Sequence, residues 1–197
     1  MKSAITFSLG LSSFYILSSK RAQTQKTFCD EDANCSKAAI CVLIPAKGSE
    51  VKGMILFNQA SYNAPTKVKG SFENLKQNAK HGFHIHEFGD NTDGCISAGP
   101  HYNPFNKTHG GIDDKERHVG DFGNVVTDDT GKGSFFFEND LIHLSGKYSV
   151  VGRTCVLHAD EDDLGRGSYP DSKTTGHAGS RIACGIIGLA DPNKYNF

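Results

Sequence analysis

The strongest constraint on the fold is a pair of histidines on a predicted strand, followed by a long irregular segment that carries three more. His84 and His86 flank Ile85 in an alternating run over residues 80–87. Because side chains at i and i+2 of a strand point to the same face, the two imidazoles lie side by side while Phe83 and Ile85 face a core. Residues 89–120 follow without apolar periodicity, and a loop of that length in a compact domain is usually functional.

The rest of the chain predicts short strands joined by turns. Apolar or alternating runs occupy residues 39–44, 51–58, 67–72, 80–87, 122–126, 133–138, 148–158 and 182–189. Many of the 22 glycines adjoin Asp, Asn or Ser, a composition typical of turns. No run indicates a helix longer than two turns. We therefore expect an all-β fold, an eight-stranded antiparallel barrel or sandwich with two long functional loops over residues 89–120 and 159–180.

Composition narrows the class of protein. The chain has 197 residues, 37% of them hydrophobic, which suffices for one domain with a sizeable core and argues against intrinsic disorder. The formal net charge of -1 argues against a nucleic-acid binder that relies on positive charge.

The irregular segment carries a set of metal-binding side chains, His101, His109, His118 and Asp121. An irregular loop loses conformational entropy when it becomes ordered, and metal ligation supplies the compensating free energy. Three imidazoles with one carboxylate form a tetrahedral set suited to zinc. We group these four residues as loop ligands.

Strand histidines suggest a second metal. His158 ends the run over residues 148–158, and with His84 and His86 it brings the candidate ligands to seven. Seven groups complete two four-coordinate sites only if one imidazole binds through both nitrogens. The site made of imidazoles alone would suit copper. The remaining histidines, His81, His143 and His177, we interpret as structural or surface residues.

The N-terminus predicts secretion. Residues 1–19 contain one charged residue, Lys2, before an apolar stretch too short to span a bilayer but of the length of a signal sequence. We expect cleavage after Ser19, a polar extension over 20–37, a domain over 38–197 and no membrane span in the mature chain. A disordered or mitochondrial-type extension is the alternative, and the scarcity of arginine argues against a transit peptide.

Two further features of the sequence agree with an extracellular location. Asn34 and Asn106 begin glycosylation sequons, whose occupancy the sequence leaves open. Cys29 and Cys35 lie in the polar extension, where thiols would oxidise outside the cell. Whether they pair with each other or between chains is also open.

Six motifs resemble those of the copper/zinc superoxide dismutases. They are GFHIHEFGD over 82–90, GC over 94–95, SAGPHYNP over 97–104, HGG over 109–111, RHVGD over 117–121 and GSRIACG over 179–185. The resemblance extends over residues 38–190. It implies a Greek-key barrel, usually a homodimer, that converts two superoxide anions and two protons to oxygen and hydrogen peroxide.

The resemblance also implies a role for each site residue. It implies one copper ion per subunit held by His84, His86, His101 and His158, and one zinc ion held by His101, His109, His118 and Asp121. His101 would bridge the metals and carry a proton as copper alternates between Cu(II) and Cu(I). Arg181 would bind superoxide beside copper, Asp162 would hydrogen-bond ligands of both sites, and Cys95 and Cys184 would form a disulfide.

Departures from the family pattern are few. Pro170 stands where an acidic residue is common, and Cys155, which we interpret as a packed thiol, stands where an aliphatic residue is common. Cys41 corresponds to a buried free cysteine. We expect Arg181 and Lys173 to attract the anionic substrate, so that the rate falls with ionic strength.

Three alternatives keep the fold or the copper but change the function. They are a non-catalytic domain of the kind found in a copper chaperone, a zinc-only structural or binding protein, and a copper-dependent oxidase or peroxidase. The first two have no need of His86 and His158. Nothing in the sequence indicates an organic-substrate pocket for the third.

Overall fold

The computed structural model describes residues 36–195, and within them nine strands form one antiparallel sheet. The strands are β1 (Lys37–Pro45), β2 (Lys52–Gln59), β3 (Thr66–Glu73), β4 (Lys80–His86), β5 (Asp121–Val126), β6 (Gly133–Asn139), β7 (Thr154–His158), β8 (Arg181–Ile186) and β9 (Gly188–Ala190). The proposed signal sequence over 1–19 and nearly all of the extension, with Cys29, Asn34 and Cys35, lie outside the described residues. Within residues 36–195, none of the helical segments has the length and hydrophobicity of a membrane-spanning helix.

The strand order makes the sheet a nearly closed barrel. The order is β5-β4-β7-β8-β1-β2-β3-β6, and β9 also pairs with β1. A bridge between Thr127 and Gly133 joins the two end strands. The predicted all-β Greek-key barrel is therefore confirmed, with the last predicted strand divided into β8 and β9 around Ile187.

Two predicted boundaries are wrong for local reasons. The strand predicted over 148–158 begins only at Thr154, because Gly152 adopts a positive φ of 84° within a turn whose backbone bonds to Ile187. Asp121, grouped above with the loop, is instead the first residue of β5.

The two long loops contain little regular structure, as predicted. The first holds a 3-10 turn (Ile96–Ala98), and the second holds one helical turn, α1 (Ser172–Thr175), which ends at Gly176. The disulfide implied for Cys95 and Cys184 is confirmed and ties the first loop to β8. Cys41 and Cys155 are buried free thiols.

The alternation of β4 separates the core from the histidines. Phe83 and Ile85 are buried in the central apolar cluster, as predicted. The opposite face of the strand presents His84 and His86, which are 0% and 1% exposed because the long loops cover them. Aromatic rings pack tightly on the core side, with the Phe72 and Phe83 centroids 5.4 Å apart.

Two β-bulges adjust the strands that carry the site. One inserts a residue in β5 between the pairs Gly82–Asn124 and His84–Asp121, where Gly123 has a φ of 74°. The other inserts Ile182 in β8 and sets Arg181 opposite His158. A bulge bends a strand and redirects its side chains, and here each one sets a site residue beside a histidine.

Candidate metal centre

Strand pairing and one bridge gather four histidines on the outer face of the barrel. β4 and β7 pair so that His84 lies opposite Val156, and His158 follows two residues later on the same face. A bridge from His86 to His101 fixes the first long loop against the strand. One nitrogen from each of His84, His86, His101 and His158 lies within 4.8 Å of the other three. Nε2 of His86 and Nε2 of His158 are 3.3 Å apart.

A second group adjoins the first through His101. Oδ1 of Asp121 lies 2.9 Å from Nδ1 of His101, 2.9 Å from Nδ1 of His109 and 3.2 Å from Nδ1 of His118. Nδ1 of His118 lies 3.4 Å from Nδ1 of His101. Ligand atoms about 2.0 Å from a tetrahedral zinc stand about 3.3 Å apart, so these separations suit the edges of a zinc site.

His84 also lies within 4.8 Å of His101, His109 and Asp121. The ring of His118, however, contacts both His101 and Asp121 directly. His118 is therefore the better fourth member of the second group, and His84 belongs with the first.

Hydrogen bonds fix the orientation of the imidazoles through the nitrogen that is turned away from the metal positions. The carboxylate of Asp162 accepts from Nε2 of His84 at 2.9 Å and from Nε2 of His109 at 2.8 Å. Nδ1 of His86 donates to the Gly99 carbonyl, and Nδ1 of His158 donates to the Gly179 carbonyl. Outer partners of this kind set the tautomer and aim the free nitrogen of a metal ligand.

The remaining nitrogens fit metal ions. Nδ1 of His84 and Nε2 of His101 are buried and have no hydrogen-bond partner among the described residues. A buried polar atom without a partner is costly. Two such atoms from rings that belong to one group of candidate ligands are explained if both face a bound cation.

The histidines of the first group have lowered pKa values, which keep their imidazoles neutral, as metal ligands must be. Burial, followed by the charge of neighbouring imidazoles, holds the pKa values of His84 and His86 well below the usual range. Burial also lowers the pKa of His158 to about 4. Neutral imidazoles are the form that binds metal.

In the second group, burial lowers the pKa of His109, but hydrogen bonds to Asp121 and Asp162 outweigh it and raise the value to about 9. Burial would raise the pKa of Asp121, yet hydrogen bonds from His101, His109 and His118 hold it far below the usual range. The ionised carboxylate of Asp121 therefore faces the His109 imidazole, which binds a proton readily. A metal cation bound between them would take the place of that proton.

A cleft of about 520 Å³ opens onto the first group and contains Arg181. The Arg181 guanidinium donates to the carbonyl oxygens of Cys95 and Gly99 at 2.7 Å each, so the disulfide-bonded loop positions the cation. Lys173, which we expected to assist Arg181, is not among the residues that line this cleft. A larger groove of about 730 Å³ near the β5–β6 turn is lined by neither histidine nor cysteine.

The structure adds Asn124 as a supporting residue that no sequence pattern indicates, and it places the three histidines interpreted as structural or surface residues. Asn124 holds the backbone of Asp162 with two hydrogen bonds of 2.8 Å. Buried His81 donates from Nδ1 to the His158 carbonyl at 3.0 Å. His143 stacks on Tyr62 away from the cleft, whereas His177 lines it. The carbonyl and amide groups that do this work come from distant segments, so no local spacing could have indicated them.

Comparisons with known proteins agree with this geometry. The family model for copper/zinc superoxide dismutase (SODC) matches residues 51–187. Superoxide dismutase (Cu-Zn) of Candida albicans is 56% identical over 141 residues, which are 72% of this chain and 92% of the relative. The protein of the same name from Saccharomyces cerevisiae is 55% identical over 141 residues, and that from Talaromyces marneffei is 54% identical over 142, each with the same two shares.

Proposed function

Since the chain belongs to the copper/zinc superoxide dismutase family, we propose that it removes superoxide outside the cell. Membership makes the chain an oxidoreductase that uses copper and zinc and converts two superoxide anions and two protons to oxygen and hydrogen peroxide. The extracellular role, the division of ligands between the metals and the homodimer are the parts that we propose.

The ligand assignment follows the two groups of the candidate metal centre. Copper would be held by His84, His86, His101 and His158, and zinc by His101, His109, His118 and Asp121. The observation that carries this division is the pair of nitrogens on His101. Nδ1 faces the carboxylate of Asp121, while Nε2 is buried without a partner on the side of the other histidines. His101 would therefore belong to both sites.

The chain's own residues bind the substrate and move a proton. When bound, copper supplies one-electron chemistry by alternating between Cu(II) and Cu(I). Arg181, permanently charged and fixed by carbonyl oxygens, attracts and orients superoxide in the cleft. Nε2 of His101, when it is not bound to the metal, would take one proton from solvent and deliver it to the peroxide formed from superoxide. The second proton comes from solvent, while Nδ1 stays fixed beside Asp121. Asp162 keeps His84 and His109 aimed throughout.

Metal analysis paired with kinetics on one sample tests this function. We expect one copper and one zinc per chain together with fast dismutation. His158→Gln should lose copper while retaining zinc, and His118→Gln should show the reverse preference. Zinc without copper, and no activity after copper is added, would favour the non-catalytic binding module instead.

The extracellular role is supported by the first 19 residues, by the sequon at exposed Asn106 and by Cys29 and Cys35, whose thiols would oxidise outside the cell. Expression of the full chain in a secreting eukaryotic host, followed by N-terminal sequencing of protein from the medium, tests the role. We expect a new terminus after Ser19. An intact Met1 in the secreted protein, or retention of all activity inside the cells, would contradict it.

The homodimer is supported by an exposed apolar patch on the barrel. Val42 in β1 is 60% exposed and Ile186 in β8 is 43% exposed. Ile44 of β1 pairs with Cys184 of β8, and the same antiparallel register, continued by two residues, places Val42 opposite Ile186. Phe88 is 51% exposed and precedes Gly89, whose backbone lies close to the Ile186 side chain. Exposed apolar patches of this kind often mark interfaces. Sedimentation should show a dimer that Val42→Glu dissociates, whereas a monomeric wild-type protein would refute this part.

A further inference from the structure

The cleft above the first histidine group is lined by one histidine, His177, that belongs to neither group of candidate metal ligands. Besides the metal-site histidines, its charged or titratable lining residues are Arg181, Asp160, Asp171 and His177. Asp160 and Asp171 therefore contribute two negative charges to the lining, and Arg181 contributes one permanent positive charge. A protonated His177 would balance the lining charge, and a neutral one would leave a net negative charge at the mouth.

His177 is held in place by contacts on two sides. Its ring stacks on Tyr169 with centroids 3.6 Å apart and planes 8° apart. Nδ1 donates to Oδ1 of Asp171 at 2.8 Å, and this bond lowers the pKa of Asp171. The hydrogen bond and the stacking together fix the orientation of the His177 ring at the edge of the cleft. Lys173 lies on the adjacent helical turn but does not line the cleft.

We propose that His177 is a substrate-guiding residue: its protonated imidazole is a second cation, after Arg181, that attracts superoxide into the cleft. The argument is electrostatic. Histidine is the side chain whose ordinary charge change falls between pH 5 and 8. A cleft focuses the electrostatic field of the charges that line it. A change of one elementary charge in the lining therefore alters the rate at which a small anion is captured. The proposal rests on the dismutase function given above.

The backbone conformation of His177 determines which substitution is suitable for the test. Its φ of 51° lies in the left-handed region, which Asn tolerates better than other non-glycine residues. His177→Asn therefore removes the titrating charge with little backbone penalty. His143→Asn is the matched control, because His143 also stacks on a tyrosine, Tyr62, but lies outside the cleft.

The experiment measures the second-order rate constant of the metal-loaded protein with superoxide from pH 5 to 9 at low ionic strength. For the wild type and for His143→Asn, we expect the constant to fall about two- to fivefold as His177 loses its proton. His177→Asn should show a flat profile over that interval. Asp171→Asn should give a higher constant than the wild type at high pH, because it removes a negative charge from the mouth.

A second measurement does not depend on activity. Proton NMR of the protein with reduced copper, which is diamagnetic, follows the His177 ring, identified by its absence from His177→Asn. Its titration midpoint should coincide with the midpoint of the kinetic profile. A wild-type pH profile retained by His177→Asn, or two midpoints that differ, would refute the guiding role. A wild-type protein inactive at every pH would instead refute the dismutase function.

Discussion

Gly176 leaves no room for a β-carbon beside Asp162. A carbon built at that position would overlap the Asp162 carboxylate and would also crowd Nε2 of His109. The glycine ends α1 with a φ of 68°, and it lets the loop come close enough for Asp162 to accept hydrogen bonds from His84 and His109. One small residue thus controls the group that serves both proposed metal sites.

Gly176→Ala should therefore impair metal binding. The new methyl group displaces the Asp162 carboxylate, so both imidazoles lose their fixed orientation, and we expect zinc affinity to fall about 10- to 100-fold. Competition titration with a chelator measures the loss. Gly48→Ala is the control, since Gly48 has a comparable φ of 85° but nothing within 4 Å of the added carbon. Equal losses in the two variants would mean that backbone strain, not overlap, is responsible.

Asp162→Asn should weaken both metals while leaving the barrel folded. The amide cannot accept a charge-assisted hydrogen bond from two imidazoles at once, so His84 and His109 are held less firmly. We expect a loss of affinity about 10- to 100-fold for each metal, measured separately by titration. Asp129→Asn, at an exposed position in the β5–β6 turn, should bind like the wild type. A variant that loses only zinc would show that Asp162 does not support the copper ligands.

Removal of the disulfide should lower stability and also disturb the cleft. The bond closes 89 residues of chain, which corresponds to about 4.6 kcal/mol on the chain-entropy model. Cys95→Ala with Cys184→Ala should therefore reduce the free energy of unfolding of the metal-free protein by a few kcal/mol, measured with urea. Reductant should destabilise the wild type but not the variant. Stability that is unchanged by the double substitution would contradict this estimate.

The double variant should also be a poorer enzyme when reloaded with metals. Arg181 donates to the carbonyl oxygen of Cys95, so a loosened loop no longer fixes the guanidinium. We expect a lower second-order rate constant at full metal occupancy. An undiminished constant would indicate that the carbonyl oxygens of Gly99 and Ile96 suffice to position Arg181.

Substitution of Arg181 should reduce the capture of superoxide rather than metal binding. Arg181→Gln removes the permanent cation of the cleft, and we expect the second-order rate constant to fall about tenfold or more. Arg181→Lys keeps the charge but loses the forked hydrogen bonds to Cys95 and Gly99, so it should be intermediate. The wild-type constant should fall with ionic strength, and that dependence should weaken in Arg181→Gln. A wild-type constant that is independent of salt would argue against steering.

Local patterns and motifs in the sequence suffice to predict the class of fold and the composition of the metal-binding set. Period-two alternation in β4 placed His84 and His86 on one face, since side-chain direction along a strand depends only on local geometry. Motif order indicated the disulfide and the residues that gather around His101. These features could be predicted because they depend on neighbours in the chain or on long, specific motifs.

The way in which those residues meet depends on tertiary structure. The bulges that place Asp121 beside His84 and Arg181 beside His158 depend on pairing between strands far apart in sequence. Asn124 supports Asp162, and His177, outwardly a surface residue, lines the cleft while Lys173 does not. Loop paths of this kind follow from packing and hydrogen bonds between distant segments, which leave no periodic signal along the chain.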